Sequence, residues 1–164
     1  MVNKKHILSS IKRLDVLYNS ASTIDATYYS KLAIIELCGW IELTMDNIVE
    51  YFANKHLKTQ PFKDSFKAIK KRNSGFNYKD NFRTMLSQTV GLHNAEKVET
   101  ALNNNSQIEV LIATLDILKV LRNDAAHTYI DVTKTYQAPS LTLAQLEDIY
   151  PILNSFSKEV KKLK

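Results

Sequence analysis

With 164 residues, 22 Lys plus Arg against 17 Asp plus Glu and a net charge of +5, the chain has the length of one domain with a real core and only a mild attraction for polyanions. Three Gly and three Pro fall far below the roughly 12 % of average usage, too few turn residues for an all-β architecture. Cys38 stands alone, which excludes an intramolecular disulfide framework and a Cys-based zinc finger and makes a reducing cytoplasm the expected setting.

The start, Met1-Val2-Asn3-Lys4-Lys5, is basic, but alternating apolar and charged residues follow it in place of an apolar core, so no secretory leader is expected. Ile7, Ile11, Leu14 and Tyr18 then recur at spacings of three and four, the stripe of a first amphipathic helix. A second, longer helix is predicted over Asp25 to about Lys55, with Ile34, Cys38, Ile41, Met45, Ile48 and Phe52 on its stripe and Glu42, Asp46 and Glu50 along a wetter strip. Its longest apolar stretch, Leu32 to Met45, is broken by Glu36 and Glu42 and falls short of the ~20 apolar residues of a membrane span, so no bilayer crossing is expected.

Residues 57–105 are polar and basic, punctuated by Pro61, Gly75 and Gly91, and are read as an insertion beside the bundle holding two or three short helices at most. Lys63, Lys67, Lys70, Lys71 and Arg72 are either a solvated helix face or a contact for an RNA phosphate backbone. A third helix is predicted from Ser106, which with Glu109 makes a capping-box pattern before Ile108, Leu111, Leu115 and Leu118. The fourth carries Leu146, Ile149, Leu153, Phe156, Val160 and Leu163, opened by a Thr142/Gln145 capping pattern and containing Pro151, a bending residue. Lys158, Lys161, Lys162 and Lys164 at its end are read as last-turn cations complementing the helix dipole rather than as a nucleic-acid tail.

The third stripe breaks its own rule at the next seam position, where Arg122 stands in place of an apolar residue. A guanidinium there is costly without hydrogen bonds or an anion. His127 follows five residues later, after Asn123-Asp124-Ala125-Ala126, and a bend or helix end near the two alanines would help the pair converge. One reading satisfies both side chains with carboxylates such as Glu42 or Asp116. In the other they are the minimal set for phosphodiester transfer without a metal: a fixed cation for the phosphate oxygens and a group titrating near neutrality to move protons. His6, His56 and His93 show no paired metal-ligand spacing, Cys38 sits on a packed stripe, and Trp40 and Tyr28-Tyr29 read as core or interface aromatics. No Gly-rich phosphate loop is present, and no cofactor is expected.

Arg122-Asn123-x-x-x-His127, following a nearly all-apolar helix, resembles the signature of the HEPN superfamily (higher eukaryotes and prokaryotes nucleotide-binding). The Glu36-Leu37-Cys38-Gly39-Trp40-Ile41-Glu42 segment is also similar to the early long helix of stand-alone bacterial HEPN proteins. The resemblance covers residues 1–56 and 106–164 and implies an all-α, HEPN-like four-helix bundle, one domain over 1–164. It further implies a metal-independent endoribonuclease of toxin-antitoxin or phage-defence biology, acting in the cytoplasm on RNA as a homodimer whose two motif copies line one cleft. Arg122, His127 and Asn123 would be its catalytic residues. Arg122-x4-His127-x-Tyr129 resembles the form found in HEPN toxins paired with a small nucleotidyltransferase antitoxin, which modifies the tyrosine with AMP; alternatively Tyr129 is a packed ring. Some HEPN domains are non-catalytic dimerisation or partner-binding modules, and that is the rival reading.

Overall fold

The computed structural model describes residues 2–103, 106–130 and 134–164. Its helices are α1 (Lys5–Asn19), α2 (Thr23–His56), α3 (Gln60–Arg72), α4 (Thr84–Val90), α5 (Leu92–Asn103), α6 (Gln107–His127) and α7 (Pro139–Lys162), with a π-helical turn at Tyr78–Arg83 running into α4. Among the described residues there is no strand, so the architecture is all-α as expected.

The four stripes become α1, α2, α6 and α7, and α2 and α7 each pack against the other three. The 34 residues of α2 span roughly 51 Å at 1.5 Å per residue. Ser22 opens it by accepting the Asp25 N–H on its hydroxyl at 3.2 Å. Ile34, Leu37, Ile41, Met45 and Val49 are fully buried, and Ile11, Leu111, Leu115, Leu118, Leu146, Leu153 and Phe156 close over them from the other helices. Each such side chain contributes about 1.5–3 kcal/mol when removed from water.

Two helix starts differ from the expected capping. Ser106 adopts φ 52°, the left-handed region, and its side chain caps nothing. Helix α7 begins at Pro139, three residues before Thr142, because proline's fixed φ and missing N–H suit a first turn. Thr142 is instead fully buried inside the helix and accepts a hydrogen bond from Gln137 Nε2 at 2.9 Å.

The stretch 57–105, between the second and third long helices, shares the core of the bundle. Phe66, Phe76, Tyr78, Phe82, Met85, Leu86, Val98 and Leu102 are buried in the same core cluster as the four long helices. Phe82 meets Phe156 of α7 edge-on with ring centres 5.1 Å apart. The wetter strip of α2 is the dock for this stretch: Glu42 Oε1 accepts the Gly75 N–H at 2.7 Å. Lys70 reaches Glu50 at 2.9 Å and Asp46 at 3.5 Å. The hydrogen bond to Glu50 raises the Lys70 pKa, whereas at Asp46 burial outweighs the lysine's attraction and pushes the carboxyl up.

Candidate functional site

Arg122 occupies the seam position after Leu118, half-buried. Its guanidinium carbon lies 5.7 Å from the centre of the Phe76 ring, within cation–π range. Neither expected carboxylate takes it. Glu42 accepts from Gly75, and Asp116 accepts from Asn77 Nδ2 at 3.5 Å. Among the described residues the Arg122 N–H groups make no hydrogen bond or ion pair, and on a half-buried side chain they stay open to water or to an anion. The same guanidinium opposes the effect of burial on the Cys38 thiol of α2, which is nevertheless pushed up to about 12.

Phe76 is presented to Arg122 by a turn that requires glycine. Gly75 has φ +117°, and a Cβ there would meet Asn81 Oδ1 at 3.0 Å. That Asn81 side chain is fixed, donating to the Ser74 carbonyl at 3.0 Å and accepting the Asn77 N–H at 3.1 Å. Sequence reasoning missed Phe76, whose only local signal is the preceding Ser74-Gly75 turn pair.

Helix α6 ends at His127, one residue beyond Ala125-Ala126. Five residues on a regular helix stand about 140° apart around the axis and roughly 7.5 Å along it. Arg122 therefore leans to the core side, while Asn123 and His127 are exposed on the outer side. Ile117 and Val120, 55 % and 69 % exposed, share the His127 side of the helix. On α2 a second stripe, Tyr28, Leu32 and Ile35, is also exposed, and Gly39 on the same stripe has open space beside it.

The end of α6 is held from three directions. Lys31 Nζ donates to the Thr128 carbonyl at 2.8 Å, just beyond His127. Lys134 and the Thr128 hydroxyl bind the Asp124 carboxylate at 2.8 and 3.1 Å, and the Lys134 hydrogen bond holds that carboxyl below the usual range. The Tyr136 hydroxyl donates to the Asp124 carbonyl at 3.3 Å. Tyr129 is 80 % exposed, so it is not a packed ring.

The basic cluster divides. Lys67 pairs with Asp64, and Lys70 is committed to Asp46 and Glu50. Lys63, Lys71 and Arg72 make no ion pair among the described residues and are exposed. Lys63, Lys67, Lys70 and Lys71 border a cavity of about 400 Å³ between α3 and α2, floored by Ala53, Leu57 and Phe66.

Among the described residues no group of three or more His, Cys, Asp and Glu is placed to hold a metal ion, and no helix is long and apolar enough to cross a membrane. A family model described as RiboL-PSP-HEPN matches residues 3–163, a continuous span that takes in 57–105. No curated protein and no solved structure matches the chain.

Proposed function

The chain belongs to the RiboL-PSP-HEPN family, and on that premise we propose that it is a metal-independent endoribonuclease of a toxin-antitoxin or phage-defence system, working in the cytoplasm as a homodimer. Domains of the HEPN type are often ribonucleases and often dimerise and bind RNA. The observation that carries the reading is Arg122: a half-buried guanidinium with a ring beneath it and no acceptor among the described residues can take an anion. Phosphate is the anion that RNA offers.

In this mechanism the RNA's own 2′-hydroxyl attacks the adjacent phosphorus and the 5′-oxygen of the next nucleotide leaves. Arg122 holds the phosphate oxygens and stabilises the charge that develops on them. His127 moves a proton, and Asn123 orients the phosphate or the histidine by a hydrogen bond. Because Arg122 and His127 point about 140° apart on one helix, the full set assembles where two copies bring their motifs together. The exposed apolar residues Ile117 and Val120 beside His127, with Tyr28, Leu32 and Ile35 on α2, support a two-fold contact on this side. Lys63, Lys71 and Arg72 extend the positive surface available to an RNA backbone. Tyr129, exposed two residues beyond His127, is open to AMP modification by a nucleotidyltransferase-like antitoxin.

Cleavage should survive EDTA, leave 2′,3′-cyclic phosphate and 5′-hydroxyl ends, and spare a 2′-deoxy sugar at the scissile position. Arg122→Ala and His127→Ala should each lower the rate by on the order of 10² or more with the fold intact. Cleavage that needs Mg²⁺ or persists in His127→Ala contradicts the mechanism. A dimer that cuts none of several RNAs is instead the non-catalytic module. Intact-mass measurement after co-expression with a neighbouring nucleotidyltransferase should show AMP added to the wild type and absent from Tyr129→Phe; no addition refutes that role.

A further inference from the structure

Beside the end of α6 lies a cavity of about 360 Å³ between the α1–α2 corner and the segment that follows His127. Its lining includes Tyr18, Asn19, Thr23, Ser30, Thr135 and Tyr136, and none of the described lining residues carries a charge. Ser30 is fully buried, and among the described residues its hydroxyl meets no hydrogen-bond partner. The cavity is tied to the catalytic motif at two points. Tyr136, on its wall, bonds the Asp124 carbonyl between Arg122 and His127. Ser30 adjoins Lys31, whose ammonium holds the carbonyl next to His127.

The nearby Lys134 ammonium, 5.7 Å from the centre of the Tyr136 ring, is taken up by Asp124, so the described lining does not favour phosphate. Two phenol rings with hydroxyl and amide groups around them suit a flat, neutral, polar ligand, stacked on its face and hydrogen-bonded at its edges, which describes a nucleobase. Base edges are open in this way only in unpaired RNA. We propose that the cavity receives one unpaired base of the RNA beside the phosphate held by Arg122, and so sets where the chain is cut; this rests on the ribonuclease reading above. The division of labour follows from the chemistry of a nucleotide: charge goes to Arg122 and the base to the uncharged hydroxyl-lined pocket.

The test uses the full chain carrying His127→Ala, titrated separately with the four 3′-nucleoside monophosphates and with inorganic phosphate while amide shifts are followed by NMR. Shifts should centre on Tyr18, Ser30 and Tyr136 for the nucleotides and not for phosphate, with one base bound about fivefold or more tighter than the weakest. Tyr18→Leu should weaken nucleotide binding about five- to tenfold, as expected for one lost stacking contact, and Ser30→Ala should narrow the preference among bases. The proposal is overturned if both variants keep the parent's affinities and preference, or if the nucleotides shift the same amides as phosphate alone. Mapping RNA ends cut by the wild type separates the two claims. Cutting with no base preference overturns the pocket while the ribonuclease stands. Nucleotide binding in the cavity by a wild type that cuts no RNA refutes the ribonuclease and leaves the nucleobase site supported.

Discussion

Replacing Phe76 by leucine removes the ring under Arg122 while keeping an apolar side chain at a position only 3 % exposed. Two costs add. Exchanging a buried ring for a smaller aliphatic group costs about 1 kcal/mol when the site can repack. The guanidinium lies 5.7 Å from the ring centre on a half-buried arginine, between the exposed limit of about 0.5 kcal/mol and the desolvated limit of about 2 kcal/mol, so about 1 kcal/mol is assigned to the cation–π contact. Arg122→Met keeps the stem and removes the charge, and a double-mutant cycle with Phe76→Leu isolates the contact, with an expected coupling of about 1 kcal/mol. Urea unfolding at neutral pH reads it as a shift of midpoint at unchanged slope. The same loosening of Arg122 should lower kcat/KM for RNA roughly fivefold, the equivalent of about 1 kcal/mol in the transition state. A coupling within about 0.3 kcal/mol of zero would mean that the ring and the guanidinium act independently, and would refute the reasoning that Phe76 supports the site.

Lys70→Met removes the cation that Asp46 and Glu50 share and should cost about 1–3 kcal/mol; Asp46→Asn on that background should recover part of it, and no loss in urea unfolding would mean that the dock is maintained by burial alone. Cys38, buried with its thiol pushed up to about 12, should resist an aromatic disulfide reagent at pH 8 until the protein is unfolded; rapid labelling of the folded chain would contradict its packing. Asp124 has its folded pKa lowered chiefly by the Lys134 hydrogen bond, so its contribution is present above the unfolded value of about 3.9 and is lost as pH falls through the folded one. The gap in Tm between wild type and Asp124→Asn should therefore be open at pH 6 and closed in strong acid, and a gap independent of pH would show that the charge plays no part.

The long helices were legible because each keeps one stripe of three- and four-residue spacing over several turns, and Arg122 stood out because it breaks such a stripe. The stretch 57–105 was not legible as core. Its buried residues fall on short helices and a π-helical turn, Tyr78–Arg83, where no period persists long enough to read. Glu42, Asp46 and Glu50 mark a polar strip whether it faces water or docks Lys70 and Gly75; the sequence of α2 is the same in both cases. The Ser106 and Thr142 patterns named side chains able to cap, but tertiary placement turned one into a left-handed linker residue and buried the other. Phe76 beneath Arg122 is a contact between distant segments, invisible to local spacing.

The central claim is that a site is completed across two copies, and subunit mixing tests it most directly. Arg122→Ala and His127→Ala are purified separately, shown to be inactive, then mixed in equal amounts under conditions that let subunits exchange. A heterodimer keeps one site with Arg122 from one copy and His127 from the other, so the mixture should regain about a quarter of wild-type RNA cleavage, half of the dimers being mixed and each carrying one intact site of two. Exchange proven by mass or label with no activity recovered would contradict the account, because each chain would then have to build its own site.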